Sequence, residues 1–394
     1  MENFIAPPRL LLGPGPSIVH PRVLQAMATP LVGHLDPTFL AVMTDIQILL
    51  RRLFSTANQF TMAGSGTGSA GMEAAVINVV EPGDTVIVGI NGVFGTRLAA
   101  IVERCGGKAI RVEVPWGQVI EPYMIATALR QSSPVKAVAL VHAETSTGAW
   151  HPLESISALC RTYNALLIVD AVTSLGGIPV EVDRWGIDVC YSATQKCLSC
   201  PPGLAPLTLS ARALSVVKNR RSPCQRWYLD LSLIADYWTE HNRAYHHTAP
   251  ISMLYALREG LRLIEEEGLP ARFARHQLNS RALLAGLMTL GLDPLPPSDR
   301  RLPTLTCVTI PANINEADVR SRLLEMFGIE IGGGLGPLKG KVWRIGLMGE
   351  SSTEANVLTL LNAVEEIGIR SGWVSTPGAA LQAAAHVYSG GEKP

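Results

Sequence analysis

The chain has 394 residues, 47% of them hydrophobic and 17% charged, and its 33 basic and 33 acidic side chains cancel. That length supports two domains with a substantial core, and the balanced, interspersed charge offers no face for nucleic acid or an anionic membrane. No apolar run nears the ~20 residues of a membrane-spanning helix. Met1–Pro8 lacks the basic start of a signal peptide, and Gly391–Pro394 is not a peroxisomal address. Seven cysteines without regular spacing fit a reducing, cytoplasmic setting.

Residues 1–20, rich in proline and glycine, read as an extended arm. Asp36–Phe54 places Phe39, Leu40, Met43, Ile46, Leu50 and Leu53 at helical spacing and predicts an amphipathic helix. Gly64-Ser65-Gly66-Thr67-Gly68-Ser69 then opens a helix over Ser69–Val80. Alternating glycines let backbone amides face a ligand, and hydroxyls at a helix N-terminus suit a phosphate. Taken alone, the segment is equally compatible with a flexible loop, and it matches neither the P-loop nor the dinucleotide spacing. Short apolar strands follow at Thr85–Gly89, Ala109–Val114, Ala137–His142, Leu166–Asp170 and Asp188–Ser192, with helices such as Leu153–Tyr163 between them. The alternation predicts an α/β fold, with a mostly parallel sheet covered on both faces.

Two of these strands end on charge. Leu166–Val169 runs into Asp170, and the strand near Cys190 runs into Tyr191-Ser192-Ala193-Thr194-Gln195-Lys196. Asp170 could be a helix N-cap, but Ala171–Gly177 has no helical pattern. Lys196 could pack its stem and send its head to solvent. Against those roles stands position, because open α/β sheets bind ligands at the carboxyl ends of their strands. A lysine in a partly buried pocket can attack an aldehyde as the free amine, and a carboxylate can hold a pyridinium proton. That pair is what pyridoxal phosphate chemistry needs. Cys197 and Cys200 have metal-like spacing but no second pair, so they read as packing residues. The adjacent His246-His247 does not converge naturally on one ion.

A second unit starts near Ala271. Helix Arg272–Leu290, strand Thr304–Ile310, helix Glu316–Met326, a Gly332-Gly333-Gly334 turn, strand Lys341–Leu347 and helix Thr353–Ile367 predict a smaller α+β domain. The division is an arm over 1–20, a large domain over 21–265, a small domain over 266–370 and a tail over 371–394. The tail carries an alanine-rich helix and reads as docked. Arg344, within the apolar run Val342–Gly346, needs an anion: either a structural carboxylate or the carboxylate of a substrate held by a bidentate fork.

Taken together, the chain resembles the class V aminotransferases of fold type I, particularly the alanine–glyoxylate and serine–glyoxylate members. The likeness spans nearly the whole chain. It is carried by Leu11–Pro16, Ser65-Gly66-Thr67-Gly68, Glu81–Asp84, Asn91-Gly92, Glu144–Gly148, Val169-Asp170, Ser192–Lys196, Tyr245–Thr248, Gly333–Pro337 and Arg344–Leu347. The resemblance implies that Lys196 forms the Schiff base with pyridoxal 5′-phosphate and shuttles the proton. Asp170 pairs with the ring nitrogen. Thr67, Gly68, Ser69 and Gln195 hold the phosphate, Thr145 lies by the ring hydroxyl, and Val172 joins the cofactor contacts. Phe94 falls where the family commonly places a stacking tryptophan, and Ser69 where some members carry histidine.

The resemblance also implies that Tyr245 and Thr248 reach the cofactor of a neighbouring subunit, so a homodimer is expected. Arg344 takes the substrate carboxylate, with Gly15 and Thr145 at the substrate end. The implied reaction is ping-pong transamination of glyoxylate with alanine or serine. The ureidoglycine–glyoxylate branch is the alternative, since Met253–Gly260 and the tail around Gly378–Tyr388 are similar to it, although that branch tends to carry asparagine at the Tyr245 position. A cysteine desulfurase would need a mobile thiol in the second domain, where Cys307 lies in an apolar strand instead. A non-catalytic scaffold of this fold would be expected to lack Lys196 or Asp170.

Overall fold

Seven strands form the central sheet: β1 (Phe60–Ser65), β2 (Thr85–Ile90), β3 (Lys108–Glu113), β4 (Ala137–Val141), β5 (Leu166–Asp170), β6 (Val189–Tyr191) and β7 (Leu204–Leu209). The structure, a computed structural model, describes residues 5–132, 134–239 and 243–391, so the first four residues of the arm and the last three of the tail lie outside it. The spatial order is β1-β7-β6-β5-β4-β2-β3. Strand β7 runs antiparallel to both its neighbours, and the remaining strands share one direction. Every residue of β4 and of β5 is buried, as expected of strands covered on both faces.

The expected strands appear within one residue at each end. The helix behind the glycine-rich loop spans Gly68–Ile77 and stops short of Val80. Its continuation meets Glu81-Pro82, and a residue before proline disfavours the helical region. The sequence reading did not include β1 or β7. Strand β1 is Phe-Thr-Met-Ala-Gly-Ser, which shows no alternation, and β7 contains Pro206. That proline lies just past the end of the pairing with β6, which closes at Leu207↔Tyr191, while its carbonyl accepts from the Ser192 N–H at 2.8 Å. A missing N–H is tolerated where a ladder ends.

The second unit is built on the three-stranded antiparallel sheet of β8 (Leu305–Thr309), β9 (Gly332–Gly333) and β10 (Val342–Gly346), in the order β8-β10-β9. Gly332 and Gly333 are therefore an edge strand rather than a turn. Glycine is needed there because a Cβ on Gly332 would lie 2.6 Å from Cδ of Pro14. The arm is tied down by the same region: Leu10–Leu11 pairs in parallel with Ile329–Glu330.

Buried apolar side chains form two large clusters. One surrounds the central sheet, from Val23 to Ile264, and the other joins Leu12 to residues between Ala282 and Val387. Helix Leu269–Thr289 links them. Near its start the fully buried Arg272 donates from Nε to the Gly176 carbonyl at 2.9 Å and from Nη2 to the Cys197 carbonyl at 2.6 Å, with Glu267 as its ion-pair partner at 2.6 Å. The tail helix, Ala379–Tyr388, buries Ala380, Ala384 and Val387. Its first turn donates the Gly378 and Ala380 N–H groups to the buried Glu365 carboxylate, which satisfies amides that would otherwise be orphaned at the helix start.

Candidate functional site

The carboxyl ends of β5 and β6 carry the chemistry. Asp170 closes β5 with its side chain 2% exposed. One carboxylate oxygen accepts from the Val172 N–H and the other from the Tyr191 hydroxyl, each at 2.8 Å. Tyr191 ends the adjacent strand, so neighbouring strand ends fix the carboxylate from two sides. Asp170 has no ion-pair partner among the described residues, and burial pushes its carboxyl up to about 6. A buried carboxylate in that condition is a site for a cationic N–H.

Lys196 follows on a turn that is braced throughout. Its carbonyl accepts from the Ser17 hydroxyl at 2.7 Å and from the Ser199 N–H at 3.0 Å, and the Thr194 hydroxyl donates to the Pro201 carbonyl at 2.7 Å. Its ammonium donates to the carbonyl of Pro14 on the arm. Burial, the largest influence, lowers its pKa to about 8. Gly15 lies against this side chain. It has φ +106°, and a Cβ there would come within 2.7 Å of Lys196 Nζ and 2.8 Å of its Cδ. The arm thus forms one wall of the lysine pocket, and only glycine fits at that point.

The start of helix Gly68–Ile77 faces the same turn. A Cβ on Gly68 would lie 2.7 Å from that of Ala193 and 3.6 Å from Val172, so the helix N-terminus is pressed against the lysine segment. Thr67, the N-cap, makes no side-chain capping bond. Thr67 and Ser69 are exposed, and the Gln195 side-chain oxygen is buried without a partner. Open amides, hydroxyls and the positive helix end make an anion cradle.

Phe94 is half-buried in the first turn of helix Val93–Arg104, with Arg97 over its ring at 5.0 Å. The N–H groups of Phe94 and Gly95 donate to the buried Glu144 carboxylate at 3.2 and 3.3 Å. The next residue, Thr145, shares a hydrogen bond with the Thr173 hydroxyl. Its carbonyl accepts from Arg344 Nη1 at 3.2 Å, and Arg344 Nε donates to the Gly333 carbonyl at 2.8 Å. Arg344 is 6% exposed and faces carbonyls alone, with no carboxylate partner among the described residues. A structural carboxylate is therefore not what holds it.

Several of the predicted residues touch: Gly15 lies against Lys196, Gly68 against Val172 and the lysine turn, Val172 bonds Asp170, and Arg344 bonds Thr145, while Thr67, Ser69 and Gln195 lie next to these in the chain and Phe94 is held by Glu144. Tyr245 and Thr248 are not among them. Both are exposed, and their hydroxyls lie 3.5 Å apart. Cys307 is buried within β8, which leaves no mobile thiol there. Sequence reasoning missed Tyr191 and the role of Glu144. Glu144 carried a signal, since it is an acidic residue next to a fully apolar strand. Tyr191 carried none, because tyrosine is common at strand ends.

A carboxylate lacking a cation, a lysine of lowered pKa and an open anion cradle fit a phosphorylated pyridine aldehyde. Comparison with known proteins gives the family. The aminotransferase class-V family matches residues 11–349. The (S)-ureidoglycine–glyoxylate transaminase of Bacillus subtilis is 44% identical, with 98% of this chain and 97% of that protein covered. The alanine–glyoxylate aminotransferase of Callithrix jacchus is 41% identical, over 93% of this chain and 89% of that one. The crystal structure of the Bacillus subtilis ureidoglycine–glyoxylate aminotransferase superposes with a TM-score of 0.96 at 45% identity, covering 98% of this chain and all of that one. That of an alanine–glyoxylate aminotransferase from Nostoc sp. superposes at 0.91 with 50% identity, over 93% and 97%. By family, by fold and by near-full-length identity, the chain belongs to the class V aminotransferases and is an aminotransferase on the fold type I scaffold.

Proposed function

We propose that this aminotransferase binds pyridoxal 5′-phosphate and passes an amino group from alanine or serine to glyoxylate. The observation that carries the site assignment is a pair of buried, unpaired charges of opposite sign, Asp170 and Arg344, both close enough to act on Lys196. Bound pyridoxal phosphate supplies the aldehyde that receives the amino group and a protonated ring that draws electrons from the substrate. The protein's part is positional. Asp170, steadied by Tyr191 and Val172, accepts the ring N–H. Thr67, Gly68, Ser69 and Gln195 receive the phosphate. Phe94 covers one face, and Thr145 and Val172 line the remainder.

Arg344 turns two donors to the Gly333 and Thr145 carbonyls and leaves the rest of its fork for the substrate carboxylate. Lys196 is the cofactor's attachment residue. Freed from it, Lys196 takes the proton from the substrate's Cα and returns it on the other side of the transfer. Amino acid and 2-oxo acid bind in turn to the same Arg344, hence a ping-pong cycle. Seven unpaired cysteines support a reducing, cytoplasmic setting. No helix of the described residues is long and apolar enough to cross a membrane.

The relatives divide on the donor. The Bacillus subtilis protein is a ureidoglycine–glyoxylate enzyme, and its near-full-length match favours ureidoglycine as the second reading. Both relatives name glyoxylate, so the acceptor is common ground. A homodimer is also proposed: Trp227, Tyr228, Leu233 and Tyr245 are large apolar residues exposed within one stretch of chain, and the exposed Tyr245 and Thr248 lie outside this chain's own site, where a partner's site could use them.

Five measurements test these statements. Lys196→Ala should abolish the visible absorbance of bound pyridoxal phosphate. In the wild type, capture of the cofactor by apoprotein should speed up as pH rises through about 8, because only the neutral amine attacks; a flat profile would count against the assignment. Arg344→Ala should raise KM for amino acid and 2-oxo acid alike by roughly 100-fold, the value of losing a charged fork of about 3 kcal/mol, with cofactor absorbance intact. An unchanged KM would remove Arg344 from the carboxylate role. With glyoxylate as acceptor, kcat/KM should be highest for alanine or serine; dominance of ureidoglycine would overturn the donor assignment. Light scattering should give twice the 42.2 kDa chain mass, and a monomer that retains full activity would refute the shared site.

A further inference from the structure

Arg97 has no role in the site as derived, yet its side chain touches two residues that do. It lies one helical turn after Phe94, on the same face of helix Val93–Arg104. Its guanidinium sits 5.0 Å from the Phe94 ring centroid, within cation–π range. Its Nη1 donates to the Ser69 hydroxyl at 3.1 Å. It makes no ion pair among the described residues. An arginine that bridges an aromatic ring and a hydroxyl is placed by those two contacts.

The two residues it joins come from different helices. Phe94 is fixed through its backbone, whose N–H donates to Glu144, but that bond leaves the ring free to rotate about its side-chain torsions. Ser69 lies in the first turn of helix Gly68–Ile77 and is exposed, so its hydroxyl is free to swing. The arginine fork is planar and rigid, so one side chain can set both at once. Phe94 at this position also lacks the polar handle of an indole, which makes an external restraint on the ring more valuable.

We propose that Arg97 is a positioning residue for the cofactor: it clamps the Phe94 ring and the Ser69 hydroxyl into one arrangement, so the stacking wall and the phosphate loop act as a single rigid surface. The proposal rests on the pyridoxal phosphate reading above. Preorganisation of this kind is felt as affinity, because less freedom is lost when the ligand binds.

The test titrates full-length apoprotein with pyridoxal phosphate, following the dissociation constant and the visible circular dichroism of the bound form, which reports the orientation of the ring. Arg97→Met keeps the stem and loses the charge and the fork. It should weaken binding about tenfold and change the dichroism, while the apoprotein's melting temperature stays put. Arg97→Lys keeps a cation over the ring and should restore binding to within about threefold of the wild type. In a Phe94→Leu background, Arg97→Met should cost less than about twofold more, since its main partner is gone. Wild-type affinity and dichroism in Arg97→Met would overturn the proposal, as would a full tenfold loss in the Phe94→Leu background. Failure of the wild-type protein to bind pyridoxal phosphate at all would instead overturn the reading on which the proposal stands.

Discussion

Burying a charge without a partner is among the most expensive things a protein can do, and this chain does it at both ends of one site. Asp170 and Arg344 are each almost fully buried, and each is hydrogen-bonded by neutral groups: a hydroxyl and an amide on one side, two carbonyls on the other. Neutral contacts orient the charges without cancelling them. Lys196, between the two in chemical role, has its proton loosened by the same dry surroundings. The rest of the architecture holds these three side chains in place, two of them without a partner of opposite charge among the described residues.

The supports come from distant parts of the chain. The central sheet supplies Asp170 and Tyr191 at neighbouring strand ends. The three-stranded sheet supplies Arg344, and the Glu144–Thr145 segment connects the two regions by capping the Phe94 helix on one side and receiving Arg344 on the other. Arg272 reaches from the linking helix to the carbonyl beside Lys196. Rigid placement is what a proton transfer needs, since its efficiency depends on geometry at the level of a hydrogen bond.

Much of this was legible in the sequence, for identifiable reasons. Strands β4 and β5 are uninterrupted apolar runs, and Asp170 and Lys196 stand out because charge rarely ends such runs. Arg344 was visible for the same reason, but its lack of a carboxylate partner was not, because pairing across strands depends on register. Strands β1 and β7 escaped notice because glycine and proline dilute their pattern, and tertiary pairing overrides that weakness. The edge strand at Gly332–Gly333 looked like a turn because its glycines answer to the arm packed against them and not to local conformation. Tyr191 and Arg97 act through contacts far apart in sequence, which no local pattern records, and Glu144 showed its charge there but not its partners.

The arm has a temporal consequence. Pro14, Gly15 and Ser17 wall the lysine pocket, while Leu10–Leu11 pairs with Ile329–Glu330, and the Ile18 N–H is held by the Ser351 hydroxyl at 3.0 Å. Residues 10–18 therefore cannot settle until residues 329–351 have been made. The central sheet, whose strands all lie before residue 210, can assemble without that later segment, but the arm wall of the pocket around Lys196 forms only once residues 329–351 are present. Contacts this remote in sequence are slow to form, so the arm wall around Lys196 is a late arrival in folding, and a chain cut before residue 329 would carry the lysine without it.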